Sequence, residues 1–124
     1  FCVNLVEEPI AQPMVQASGE YPPEVRELEL LGLESEPCRV IDGVRVKACR
    51  ASLECRLVDV HSYGHKAKTN IVVGEVLHAS FAEDILEDCG YTIDPTKIAP
   101  VSRLGGVHYA KLGERFEMAR PKVG

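Results

Sequence analysis

Ser52-Leu-Glu-Cys-Arg-Leu-Val-Asp-Val60 sets the fold class. Apolar residues fall at 53, 55 and 57 with polar ones between them, the period-two pattern of a strand with one buried face. The phase slips at Val58, after which Val58 and Val60 carry the apolar positions onward. A one-residue slip inside a strand is what a β-bulge produces. Tyr63-Gly64 reads as a turn, and Thr69 to Ala79 as a second long strand. That strand is apolar at Ile71, Val73 and Leu77 and also at Val72 and Val76. The pattern predicts burial on both faces, under a helix or a second subunit.

The flanks continue the β signal. Upstream, Val40, Val44 and Val46 bracket Asp42-Gly43, a hairpin turn pair. Phe1-Cys-Val-Asn-Leu-Val6 is a short strand-like run. Between them, Pro9 to Ala17 reads as one or two helical turns with Pro13 an expected interruption. Pro22-Pro-Glu-Val-Arg-Glu-Leu-Glu-Leu-Leu-Gly32 reads as a helix, with prolines and acids at its start and Gly at its end. Downstream, Phe81 to Leu86 is a weak helical turn, and Asp94-Pro-Thr-Lys-Ile98 a capped turn. Gly113-Glu-Arg-Phe-Glu-Met118 reads as a last strand, stopped by Arg120-Pro121. The expectation is one domain over residues 1–124, mainly β with short helices, a barrel or sandwich.

Composition narrows the class. Hydrophobic residues make up 45% of the 124, enough for a core, and the formal net charge of -5 argues against a nucleic-acid surface. No apolar run approaches the roughly 18–20 residues of a membrane helix. The five cysteines are odd in number and lack a Cys-x-x-Cys, as in a reduced, cytoplasmic chain. Six acids and no Lys or Arg fall between Glu75 and Asp94, while five Lys/Arg fall between Arg39 and Arg56. These are expected to be solvated stretches of opposite sign; the basic one could alternatively border an anionic ligand.

Metal and nucleophile chemistry find little support. Cys49, Cys55, His61 and His65 lack the spacing of a zinc finger, and two cysteines six residues apart on one strand lie roughly 20 Å apart. No cysteine sits in a recognisable catalytic signature. No Gly-rich loop opens a helix after a strand, so neither a Rossmann nor a P-loop site is expected. Arg103-Leu-Gly-Gly-Val-His-Tyr-Ala-Lys-Leu-Gly113 is the remaining candidate. Its Gly105-Gly106 suits a turn with positive φ, and Arg103 suits a phosphate or carboxylate. Read without other context, it is a structural turn with a surface arginine.

In chain order, Phe1-Cys-Val-Asn4, Pro22-Pro23 to Leu31-Gly-Leu33, Leu53-Glu-Cys-Arg-Leu57, Val72-Val-Gly-Glu-Val76 and Arg103-Leu-Gly-Gly…Tyr109-Ala…Leu112-Gly…Phe116…Arg120-Pro121 resemble the flavin reductase-like, FMN-binding split-barrel proteins. That group includes flavoredoxin and the reductase components of two-component monooxygenases. The resemblance implies a Greek-key split β-barrel that dimerises and holds FMN near the subunit interface. It implies hydride transfer from NADH or NADPH to flavin, with an oxygenase component as a further partner. A flavin-binding electron carrier without reductase turnover, or a non-catalytic dimerising fragment, are the alternatives. In the family, several barrel strands precede the segment like Phe1-Cys-Val-Asn4, so the chain is expected to be the C-terminal portion of such a domain. By position in the family, Asn4, Thr69, Asn70, Arg103 and Tyr109 are the expected cofactor-binding residues. No side chain is expected to act as catalytic acid or base, because the hydride chemistry belongs to the flavin.

Overall fold

A computed structural model of the chain describes residues 1–66 and 69–124. Its strands are β1 (Cys2–Asn4), β2 (Ser35–Pro37), β3 (Val44–Val46), β4 (Ala51–Tyr63), β5 (Thr69–Phe81), β6 (Val101–Gly105) and β7 (His108–Lys111). Short helices α1 (Ala11–Ala17) and α2 (Glu27–Leu30) lie between β1 and β2, and 3₁₀ turns sit at Glu8–Ile10 and Glu83–Ile85. The expected mainly β architecture is present. The strands form a three-stranded sheet in the order β1-β4-β5 and two separate hairpins, β2-β3 and β6-β7, all antiparallel.

Register assigns each side chain of the large sheet to a face, because directly paired residues point the same way. Cys2, Asn4, Ser52, Glu54, His78 and Ser80 share one face. Val3, Ala51, Leu53, Cys55 and Phe81 share the other. The slip at Val58 is real: Leu57 pairs with Gly74 and Asp59 with Val73, leaving Val58 as the extra residue. A second irregularity lies where Glu54 pairs with His78 and Cys55 with Val76, so that Leu77 is the extra residue on β5. Beyond these bulges Cys55, Leu57, Val60, Val72, Gly74 and Val76 fall on the Val3 face.

The β2-β3 hairpin covers the Cys2 face. Asn4 Oδ1 accepts the Val46 N–H at 3.1 Å, and the Glu54 carboxylate accepts the N–H groups of Arg39, Val40 and Ile41. Cys49, Ala51, Ser52, Glu54 and Cys55 are buried at and just before the start of β4, as are Glu7 and Ile85.

Four expectations need correction. α1 runs through Pro13, which falls in the first helical turn where its missing N–H breaks no helical bond. The helix expected over 22–32 shrinks to Glu27–Leu30, although Gly32 closes it at φ 64° as its type suggests. The hairpin link is the six-residue stretch 38–43 rather than a tight turn at Asp42-Gly43, because Glu54 captures its backbone. Residues 113–118 form no strand: β6 and β7 pair only with each other among the described residues, and Phe116 and Met118 stay exposed. In the single chain Ile71, Val72, Val73 and Val76 of β5 are all exposed, so no helix among the described residues supplies the expected cover. Among the described residues no helix is long and apolar enough to cross a membrane.

Candidate functional site

A cleft of about 520 Å³ is lined by β1 with the residues after it, by Met14 and Ser18 near α1, by the first residues of β4, by Phe81 and Ile93, and by the β6-β7 hairpin. Val3, Leu5, Ala51, Leu53 and Phe81 contribute its apolar floor. β1 extends past its last ladder pair through the Leu5 N–H, which donates to Ala51 O at 2.9 Å. The floor follows from the period-two alternation of β1 and β4.

The β6-β7 hairpin is brought to the cleft by backbone bonds. The Val101 N–H donates to Val6 O at 3.0 Å, and the Glu8 N–H to Ala99 O at 3.0 Å. Arg50, just before β4, locks this junction. Its Nε and Nη2 grip buried Glu7 at 2.8 and 2.6 Å, its Nη1 meets Asp84 at 3.1 Å, and Nη2 also donates to Lys97 O at 2.7 Å. The Arg50 bonds hold the Glu7 carboxyl below its ordinary value, against the upward push of burial, and the Ala99 N–H adds to the effect. In turn, Glu7 raises the already high pKa of Arg50.

Arg103 and Tyr109 face each other across the hairpin as register partners, and both line the cleft. Gly105 (φ 120°) ends β6 opposite His108 and Gly106 (φ 55°) opens the turn, both in backbone conformations that glycine adopts without strain. Arg103 is the only charged residue on the cleft wall among the described residues. Its sole hydrogen bond among them is a long one of 3.5 Å to Gly106 O, so its guanidinium is available to a ligand.

Of the five residues expected to bind cofactor, Asn4, Arg103 and Tyr109 meet at this cleft. Asn4 does so mainly through its backbone, because its side chain turns to the opposite face to hold Val46. Thr69 and Asn70 lie elsewhere, pairing with Tyr63 and Ser62 at the far tip of the β4-β5 hairpin. The hairpin carries them roughly 40 Å along β4 from Ala51, at ~3.3 Å per residue. Phe81 is one of several lining residues, with Val3, Leu5 and Leu53, that sequence reasoning missed. Its signal was present, since extending the β5 strand by two residues puts Phe81 opposite Ala51.

The fold is a β-rich split barrel, and its cleft has an apolar floor and a single cationic residue among the described ones. Residues 1–97 match the flavin reductase-like domain, and the chain belongs to that family. An uncharacterised protein of Halalkalibacterium halodurans is 34% identical over 99% of this chain and 59% of its own length. The nitrilotriacetate monooxygenase component B of Bacillus cereus superimposes with a TM-score of 0.84 at 29% identity, over 94% of this chain and 58% of that one. The 2-nitrobenzoate 2-nitroreductase of Pseudomonas fluorescens gives 0.83 at 26% identity, over 98% and 59%. The chain therefore spans little more than half the length of the proteins it matches.

Proposed function

We propose that this chain is the flavin-holding portion of an FMN-binding, NAD(P)H-dependent flavin oxidoreductase. The observation that carries the reading is the pairing of an apolar floor with one uncommitted arginine in a cleft of about 520 Å³. That volume falls within the roughly 300–1,000 Å³ of small-molecule sites. The residues suit FMN: Val3, Leu53 and Phe81 would meet the flat ring system, and Arg103 would take the phosphate through its planar, permanently charged fork. No carboxylate lines the cleft among the described residues, so nothing there opposes an anion. Tyr109, paired with Arg103, would orient the ligand by stacking or through its hydroxyl. When bound, FMN supplies the redox chemistry, accepting hydride from NADH or NADPH.

The same reading includes a homodimer. Leu57, Val60, Val72 and Val76 lie on the face that floors the cleft and are about half exposed, so the apolar surface continues down the hairpin. A second copy covering it would carry Asn70, which shares that face, toward the partner's site, while Thr69 lies on the other. An oxygenase component is a further partner in this reading. A cytoplasmic setting is consistent with the five free thiols.

The test is FMN titration of the protein followed by NADH and NADPH oxidation assays. The expected result is a yellow complex that oxidises at least one nicotinamide. Arg103→Ala is expected to weaken FMN or nicotinamide binding by about 1.5–3 kcal/mol, the loss of one charged hydrogen bond. Unchanged affinities for both ligands would return Arg103 to a surface role. FMN that binds but ignores both nicotinamides would favour an electron carrier.

A further inference from the structure

Cys2, Glu54 and the loop after β2 meet on the face of the sheet that the β2-β3 hairpin covers. Cys2 stands directly opposite Glu54 in the β1-β4 register, so their side chains share that face. The Glu54 carboxylate grips the loop through the N–H groups of Arg39 and Val40 at 2.7 Å each and of Ile41 at 3.3 Å. Cys38 immediately precedes this grip, and its own N–H is fixed to Gly43 O at 2.9 Å. The carboxylate thus anchors the backbone that follows Cys38 over the face of the sheet that carries Cys2. Both cysteines are half-buried, which leaves them within reach of a small solute.

The other three cysteines are placed differently. Cys55 is close in sequence to Glu54 but alternates to the opposite face, where it is buried with its Sγ 3.7 Å from Leu53 O. Cys49 is buried, and Cys89 sits in an exposed loop beside Glu87 and Thr92.

We propose that Cys2 and Cys38 are a redox modification site, closing to a reversible disulfide when the protein meets a peroxide. The step balances with hydrogen peroxide as the two-electron oxidant. The Cys38 sulfur attacks one peroxide oxygen, the O–O bond breaks, and one water leaves a sulfenic acid on Cys38. The Cys2 sulfur then attacks the Cys38 sulfur, the S–O bond breaks, and the departing hydroxide takes the Cys2 proton as a second water. Two thiols are oxidised to one disulfide, and one peroxide is reduced to two waters. Burial and the adjoining Cys38 push the Cys2 thiol up to about 11, so its attack on the sulfenic acid is expected to quicken as pH rises and more thiolate forms. The link would tie the 38–43 loop covalently to β1, where Glu54 and Asn4 already hold the hairpin. The inference is independent of the flavin reading.

Trypsin offers a direct test, because it places the five cysteines on five separate peptides: Phe1–Arg26, Glu27–Arg39, Ala48–Arg50, Ala51–Arg56 and Thr69–Lys97. The protein is treated with hydrogen peroxide, alkylated, digested without reduction and analysed by mass spectrometry. The expected species is Phe1–Arg26 joined to Glu27–Arg39, two hydrogens lighter than the sum of the peptides and released by dithiothreitol. Cys38→Ser is expected to abolish it. Cys2→Ser, checked for folding by circular dichroism, provides the same loss from the other side. A link between any other pair, or higher oxides on separate cysteines with no link between Cys2 and Cys38, overturns the proposal.

Discussion

Asn4 and Arg103 border the same cleft, yet their side chains are employed differently. The Asn4 Oδ1 is committed to the Val46 N–H at 3.1 Å and is also approached by the Cys2 thiol at 3.9 Å. Its amide therefore fastens the β2-β3 hairpin to β1. Removing an acceptor from a partly buried N–H costs about 1–3 kcal/mol, since the donor regains no water on folding. Asn4→Ala is accordingly expected to lower stability by that amount in urea unfolding, with FMN affinity changed little. Asn4→Asp keeps an acceptor at the same place and is expected to retain more of the stability. If Asn4→Ala unfolds like the parent but loses FMN, the amide serves the ligand instead. A motif position fixes where a residue lies along a strand. Which face its side chain takes depends on the pairing register, and for Asn4 that register points away from the cleft.

The β4-β5 hairpin raises the same question for a whole element. Its two faces differ in chemistry. One carries Leu57, Val60, Val72 and Val76; the other mixes Ile71 and Val73 with the Arg56–Glu75 and Asp59–His61 pairs. A long hairpin with an uncovered apolar face is a candidate for association, whereas salt-bridged faces tolerate water. Val72→Lys, in the middle of the apolar face, is therefore expected to shift the protein from dimer to monomer in light scattering at micromolar concentration. A lysine at Val73, on the mixed face, is expected to leave the dimer intact. A monomeric parent protein, or equal effects of the two lysines, would count against this face as the interface. The sequence made one bulge legible and hid the other. At Val58 the slip moves the apolar positions from odd to even and is visible. At Leu77 the neighbours Val76 and Leu77 are both apolar, so the slip leaves the pattern unchanged and reads as a strand buried on both sides. Valine and isoleucine fit a pleated strand even where they meet water, so their presence alone does not say which face is covered. Arg103 and Tyr109 were legible as a pair because two glycines force the turn that sets them opposite each other. The floor of the cleft was not, because Val3, Leu53 and Phe81 come from three strands joined only by register.

Across the whole molecule, two buried carboxylates hold elements that the small hydrophobic core cannot. Glu7, 5% exposed, ties the β6-β7 junction to Arg50, and Glu54, 1% exposed, ties the 38–43 loop to the sheet. Both are held below the ordinary value of 4.5. For Glu7 the bonds from Arg50 dominate. For Glu54 burial pushes upward, and the three backbone N–H donors with nearby His78 outweigh it. A carboxyl group whose pKa is lower folded than unfolded takes up protons more readily in the unfolded chain, so its stabilisation is complete above 4.5 and is lost as pH falls through the native value. Stability against urea is therefore expected to change little from neutral pH down to about pH 5 and to fall steeply below it. Glu7→Gln and Glu54→Gln should each be less stable at neutral pH, because an amide cannot receive the same set of donors. Each should also show a shallower acid limb, having lost one of the linked protons. Asp94 and Glu34 are shifted in the same direction but sit in solvent-exposed contacts with Thr96 and Lys47, where screening leaves little stabilisation to lose. An acid limb of unchanged steepness in the double variant would assign the acid sensitivity to groups other than these two clamps.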